Sequence, residues 1–431
     1  MTAPRSENGA VPDLHASAFA DEDACASTRT KNARRILLLG NFGSHNLGNE
    51  GSLEAMLDFL REAYPAAEIA CACWAPDIAR SAHGIEGLQL RGAEFQSSAA
   101  RLANLLTLGN ARRLASFLEA YRTMRRFDVV IVPGTGILDD FREAWHAMPY
   151  ALLRWSVAAR LARRPLLLVC IGAGPITHPV SRHFMLWAAR LASFRSYRDP
   201  ASRRYMASIG LDVSRDPVVP DIAFRLPAPA ASPVRTGSHP LVVGVGIMAY
   251  RGWTHSAANG DDIYDAYIAK MAHFVGWLLE QGHAVRLVIG ERSDAGAVSD
   301  VAQRVGVALT RGTPRAGALV SDPASSLHDL MRQLSDTDIV VATRYHNVVC
   351  ALRVGKPVIS LGYAAKHDEL QEAAGLGDFC QHVETLDVER LKLQFACMQA
   401  ARAALSARVA AKVEEFRRQL RGQEQRDLSH L

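Results

Sequence analysis

Arg344 and His346 stand two residues apart in "TRYHNVVCALRVGKPVISLGYAAKHDEL" (343–370), directly after the apolar run "DIVVAT". Arginine carries a permanent charge on a planar fork of donors that matches a carboxylate or a phosphate. Histidine is the side chain whose ordinary pKa lets it give and take a proton near neutrality. Placed together at the end of one buried strand, they describe a spot that holds an anion and moves a proton. Lys366, after the next apolar run "PVISLGY", adds a second cation to that spot. The plainer reading is a helix-capping histidine beside an arginine paired with Asp336 or Asp338.

Glycine-rich turns follow three other apolar runs. "LLLGNFGSHNLGNEGSLEAML" (37–57) carries Gly43, Gly48 and Gly51 between a strand and a helix, with Asn46 and Glu50 as polar members of the loop. Glycine lets backbone approach a ligand closely, and a helix N-terminus favours an anion. The spacing is neither GxGxxG nor GxxxxGK[ST], so it is neither a dinucleotide nor a P-loop signature. "VIVPGTGILDD" (130–140) offers Gly134, Thr135 and Gly136, and "VCIGAGPI" (169–176) offers Gly172. Such turns at the carboxyl edge of a parallel sheet are where open α/β folds bind ligands. Asp139 and Asp140 read as a cap and its neighbour, with Asp139 and Glu50 both open to a role as base. In "FRSYRDPASRRYMASIG" (194–210), Asp199-Pro200 starts a helix. Arg198 just before it ends a strand and can reach into a cleft, whereas Arg195, Arg203 and Arg204 read as surface residues.

The elements that must position these residues follow from hydrophobic periodicity. "RILLLG", "EIACACW", "FDVVIVPG", "PLLLVCIGAG" and "FRSYRD" are short, apolar and strand-like, and they alternate with helical stretches such as "GSLEAMLDFLREAYP" and "MPYALLRWSVAARLARRP". Strands apolar along their whole length belong to parallel sheets covered on both faces. This pattern predicts a Rossmann-like domain over 34–225. The segment 226–240, "LPAPAASPVRTGSHP", holds four prolines and reads as a semi-rigid linker. A second Rossmann-like domain is expected over 241–385, followed by one long helix and a tail over 386–431. Two doubly wound domains facing a cleft form the GT-B architecture.

The 431 residues are 49% hydrophobic and 22% charged, enough for two large cores. The net charge of +5 is spread along the chain, which argues against nucleic acid as a partner and suits a basic pocket for a small anion. Seven scattered cysteines without a CxxC pair point to reduced thiols. No metal-ligand spacing such as HExxH occurs, and neither a metal nor a bound cofactor is expected. Residues 1–33 lack an apolar stretch and read as a disordered tail. The polar, aromatic stretch 250–267, "YRGWTHSAANGDDIYDAY", reads as a loop whose Tyr250 and Trp253 could stack on a sugar ring.

In order and spacing, "GNFGSHNLGNEGSLEAML", "VVIVPGTGIL", "IGAGPI", "SYRDPASRRYMASIG", "VVPDIAF" and "TRYHNVVCALRVGKPVISLGYAAKHDEL" resemble the polysaccharide pyruvyl transferase family. The resemblance covers roughly 35–385. It implies a GT-B-like fold and an enzyme that moves the pyruvyl group of phosphoenolpyruvate (PEP) onto two hydroxyls of a saccharide, forming a ketal and releasing phosphate. It implies PEP contacts at Arg198, Arg344 and His346, with Lys366 matching the lysine after the family's last strand and joining the PEP-binding set; as the titratable member, His346 is the expected catalytic proton donor. Departures are Asn49 where an acidic residue commonly follows the glycine, "PGTG" in place of a triple glycine, and Tyr345 and Asn347 beside the Arg-x-His pair. The implied partners are PEP and a lipid-linked saccharide acceptor. The implied place is the cytoplasm, at the inner membrane face, with peripheral contact through Arg-rich helices such as "LLRWSVAARLARR". A nucleotide-sugar glycosyltransferase on the same fold, and a non-catalytic glycan-binding protein, are the competing readings.

Overall fold

In the computed structural model, the described residues are 34–92, 97, 104–107, 109–229, 240–253 and 259–429. The tail 1–33, Cys25 within it, most of the linker and part of the 250–267 loop lie outside them.

Six parallel strands build the first sheet: β1 (Arg35–Leu39), β2 (Glu68–Cys73), β3 (Glu86–Gln89), β4 (Val129–Pro133), β5 (Leu166–Ile171) and β6 (Phe194–Tyr197). Their order is β3-β2-β1-β4-β5-β6, so the winding direction reverses between β1 and β4. Along β1 the side chains alternate between two apolar clusters, Ile36 and Leu38 in one, Leu37 and Leu39 in the other. A strand buried on both faces has no place for a polar residue, which is why it reads as an unbroken apolar run. The helices covering this sheet are α1 (Leu47–Ala63), α2 (Pro76–His83), α3 (Asn110–Met124), α4 (Met148–Leu161), α5 (Pro179–Leu191) and α6 (Pro200–Ser208).

The second sheet contains β7 (Val242–Gly246), β8 (Ala284–Val288), β9 (Leu309–Thr310), β10 (Leu319–Val320), β11 (Ile339–Ala342), β12 (Val358–Gly362) and β13 (Cys380–His382) in the order β13-β12-β11-β7-β8-β10-β9. Around it lie α7 (Gly260–Glu280), α8 (Ala295–Val305), α9 (Leu327–Ser335), α10 (Tyr345–Arg353) and α11 (Ala365–Ala373). One apolar cluster runs from a face of the first sheet into the second, joining the two domains.

Two expected boundaries move. The long C-terminal helix is present as α13 (Arg402–Gln423), but a separate helix, α12 (Val388–Ala400), precedes it; Ala401 between them leaves helical geometry without any glycine or proline to announce it. α13 returns to the first domain, where the Phe416 ring lies 5.1 Å from that of Phe224. The stretch 250–267 is loop only at its start, because α7 begins at Gly260. In the helix containing "LLRWSVAARLARR", Leu152, Arg154 and Trp155 are buried and Leu161 is 59% exposed. No helix among the described residues is long and apolar enough to cross a membrane.

Candidate active site

The carboxyl ends of the first sheet's central strands face the N-terminal turns of α10 and α11 across the domain boundary. α1 closes the boundary with its first turn. Leu47 donates its backbone N–H to Gly290 O at 3.0 Å, and Asn46 Nδ2 reaches Glu291 Oε2 at 3.4 Å. Asn46 is also the N-cap of α1, its Oδ1 accepting from the amides of Gly48 and Asn49. Gly48 and Gly51 of this turn serve domain packing. A Cβ on Gly51 would lie 2.2 Å from Leu327 Cδ1, and one on Gly48 would lie 1.9 Å from His346 Nδ1. The backbone they allow to approach is met by another domain's side chains.

At the floor of the cleft sits a buried group made of Arg198, Asp221 and His346. Arg198 follows β6 and donates from Nη1 to Asp221 Oδ2 at 2.9 Å. The same Oδ2 lies 3.7 Å from His346 Nε2, a nitrogen that has no hydrogen-bond partner among the described residues. Asp221 Oδ1 accepts from the Ala223 amide at 2.9 Å, capping the short turn Ile222–Arg225. Burial raises the Asp221 pKa, but His346, Arg198 and the Ala223 amide together outweigh it and hold the carboxyl far below the usual carboxylate range. Tyr345 lies flat against the assembly, its ring centroid 4.2 Å from Arg198 Cζ. Gly172 is required here, because a Cβ would come within 2.7 Å of the Arg198 guanidinium nitrogens Nε and Nη2. Asp199 caps α6, accepting from the Ser202 amide at 2.6 Å.

Arg344 is the N-cap residue of α10, and its partners differ from the expected Asp336 or Asp338. Nε and Nη2 donate to the two oxygens of Asp294 at 2.9 and 2.8 Å, and Nη2 also lies 2.9 Å from Glu291 Oε2. The edge of the fork best suited to a ligand anion is therefore occupied by Asp294, whose side chain is fully buried. Lys366, in the first turn of α11, donates to Asp139 Oδ2 at 3.3 Å and lies over the ring of Tyr363, 5.3 Å from its centroid.

Arg198, Arg344, His346 and Lys366 line one cavity of about 530 Å³ that also includes Asn46, Gly136 and Asp139. Gly134 lies deeper, against Ser52 and Ile222. Glu50 does not reach the cavity wall; its Oε1 accepts from the Gly43 amide at 2.7 Å, and burial raises its pKa against the pull of the Gly43 and Ser44 amides. Tyr250 is only 1% exposed, donates its hydroxyl to Glu384 at 2.6 Å and stacks behind Tyr363, so it supports the wall and cannot stack on a sugar. Trp253 packs edge-on to Phe141 and donates its Nε1–H to Asp140 at 3.2 Å. Asp140 also accepts from the Thr177 and His178 amides, a structural role, whereas Asp139 faces the cavity.

Asp221, Asp294 and Glu143 escaped the reading of the sequence. Asp221 lies inside the quoted "VVPDIAF", so its motif was visible and its partner was not. Glu143 lines the cavity, and burial, reinforced by the nearby Asp139 charge, raises its pKa to about 7 against the opposing Met148 amide. No local pattern in "DDFREAWH" announces a carboxyl that titrates near neutrality.

The family model for polysaccharide pyruvyl transferases matches residues 46–364. No curated protein matches the sequence. Similar solved structures include UDP-GlcNAc 2-epimerase from Neisseria meningitidis bound to UDP-GlcNAc, at 9% identity and TM-score 0.55, covering 87% of this chain and 94% of that one. The Anabaena protein HepE in complex with UDP and glucose is similar at 16% identity and TM-score 0.54, over 92% and 100% of the two chains. UDP-GlcNAc 2-epimerase from Methanocaldococcus jannaschii is similar at 12% identity and TM-score 0.53, over 84% and 92%. At these identities the likeness is one of fold, two Rossmann-like domains in a GT-B-like arrangement. With its model matched across most of the sequence, from the first turn of α1 to the start of α11, the chain belongs to the polysaccharide pyruvyl transferase family.

Proposed function

We propose that this transferase uses PEP as donor and places a pyruvate ketal across two hydroxyls of a saccharide. The observation that carries the proposal is the buried Arg198–Asp221–His346 group beneath a cavity that Arg344 and Lys366 also line. PEP brings a carboxylate and a phosphate to a site that already supplies fixed cations, and charge-assisted contacts of this kind are strong. Arg344 contributes from the donors that Asp294 leaves over. At Lys366 a phosphate oxygen takes the place of Asp139.

His346 gives a proton to the PEP methylene carbon, which becomes a methyl group as positive charge builds at the carbon bearing phosphate. Asp221, kept ionised, stabilises the protonated imidazole that makes the donation. General acid help of this kind is worth about 10²–10⁴-fold. The first hydroxyl attacks that carbon, phosphate departs with the C–O bond electrons, and the second hydroxyl closes the ketal. Two hydroxyl protons are lost overall: one replaces the proton His346 gave, the other leaves with phosphate. Glu143 is the carboxylate best suited to accept a hydroxyl proton near neutrality. PEP supply puts this reaction in the cytoplasm, and the chemistry is the same for a free and for a lipid-borne saccharide.

A ligand screen by thermal shift tests the donor. PEP is expected to raise the melting temperature, with phosphate released once an acceptor is present. Stabilisation by UDP or UDP-sugars with no response to PEP would favour a nucleotide-sugar glycosyltransferase instead.

A further inference from the structure

Beside the donor cavity lies a second one of about 850 Å³, and Trp74 and Glu143 line both. Two kinds of side chain face into it. Trp145, 36% exposed, and Tyr150 present aromatic surface. Arg112 and Arg154 present charge. Aromatic faces stack on the C–H faces of sugar rings, and guanidinium groups hold phosphate or carboxylate.

Arg154 is the informative residue. It is 6% exposed, and burial lowers its pKa against the weaker opposing pull of Tyr150 and the more distant Glu119 carboxylate. Other buried arginines meet carboxylates: Arg198 meets Asp221, Arg344 meets Asp294, and Arg286 meets Asp322. Among the described residues no carboxylate lies within 4.0 Å of Arg154. Its Nη2 donates to Leu90 O, its guanidinium carbon stands 5.8 Å from the Tyr150 ring centroid, and its Nε has no partner. A guanidinium removed from water without a direct ion-pair partner is costly, and an anion arriving in the cavity would offset that cost.

We infer that this second cavity is the acceptor subsite, built for an anionic saccharide. Its sugar rings stack on Trp145 and Tyr150, its phosphate or carboxylate meets Arg154 and Arg112, and its reacting end crosses the shared wall at Trp74 and Glu143 into the donor cavity. The naming of this ligand as acceptor rests on the proposed PEP reaction; the binding itself does not.

The test is equilibrium binding of saccharides to the full chain without PEP, by calorimetry. Three probes are used: a neutral disaccharide, its 1-diphosphate, and a disaccharide carrying a glucuronate. PEP binding is measured in parallel. At least one anionic probe is expected to bind about tenfold or more tightly than the neutral one, since one charge-assisted contact is worth about that factor. The diphosphate and glucuronate arms identify the anion. Arg154→Met should abolish the preference, and it should fold, because replacing a buried unpaired cation by an apolar side chain is tolerated. Arg112→Ala, at an exposed position, should reduce the preference, and Trp145→Ala should weaken all three saccharides. PEP binding should be unchanged in each variant. Equal affinity for neutral and anionic probes, or an anion preference that survives both arginine substitutions, would overturn the inference. Saccharide binding as described with no PEP binding by the wild-type chain would instead sink the proposed donor and leave the subsite standing.

Discussion

At the scale of single residues, the proposed reaction turns on which groups move protons and which hold charge. His346→Gln keeps a polar side chain in place but cannot titrate, so kcat should fall by about 10²–10⁴-fold with little change in KM for PEP. Equal loss in KM and kcat would point to a binding role for His346. Arg344→Ala has a second consequence beyond weaker PEP binding, because it leaves the fully buried Asp294 carboxylate without its partner. Breaking a buried pair from one side costs about 3–5 kcal/mol, so the variant should melt well below the wild type in the absence of any ligand. Arg344→Ala together with Asp294→Ala should recover part of that loss and none of the PEP affinity; thermal melts with and without PEP decide this. Glu143 makes a pH-dependent prediction. Its folded pKa of about 7 lies above the ordinary 4.5, so the protonated form stabilises the fold fully below about 4.5 and that contribution is lost as pH rises through 7. Glu143→Gln should therefore melt higher than the wild type above pH 7, converging with it below 4.5. A difference that does not vary with pH would place Glu143 in an ordinary solvated setting.

At the scale of elements, the first turn of α1 and the first turn of α10 are fitted to one another. Alanine is favoured over glycine in a helix by about 1 kcal/mol, so Gly48→Ala would ordinarily stabilise α1. Here the new Cβ would meet His346 Nδ1, and displacement of the ring should lower kcat on the order of 10²-fold. Kinetics and melting measured on one preparation check this; an unchanged kcat would mean that the imidazole position is not critical. Elements buried on both faces were readable from sequence, because β4, β5 and β11 admit only apolar residues. β3, β9, β10 and β13 were missed, since strands of two to four residues at or near sheet edges carry no such constraint. Arg198, Arg344, His346 and Lys366 could be singled out as charged residues ending apolar runs. Their carboxylate partners could not, because Asp294 meets Arg344 from fifty residues away and Asp221 meets His346 across the domain boundary. Tyr250 misled for a related reason: an aromatic residue in a polar stretch reads as exposed until Glu384 is seen to accept its hydroxyl.

At the scale of the whole molecule, α13 ties the second domain's end back to the first and fixes the cleft between them. Phe416 packs on Phe224, Arg225 donates to Glu424 at 2.8 Å, and Gln423 Oε1 accepts from Cys170 Sγ. Phe416→Ala should cost about 3–5 kcal/mol, read as a lower unfolding midpoint in urea. A loss below 1 kcal/mol would show that α13 docks too loosely to hold the cleft. The cavity between the domains depends on this closure, since Arg198 comes from one domain and Arg344, His346 and Lys366 come from the other. The central claim is that this shared cavity transfers pyruvate from PEP, and product analysis tests it most directly. Wild-type chain and His346→Gln are incubated with PEP and a panel of nitrophenyl and lipid-linked hexosides, followed by mass spectrometry and a phosphate assay. A saccharide carrying one ketal-linked pyruvate, formed mole for mole with phosphate by the wild type and not by the variant, is the predicted result. Intact PEP with every acceptor, alongside sugar transfer from a nucleotide-sugar donor in the same cavity, would contradict it.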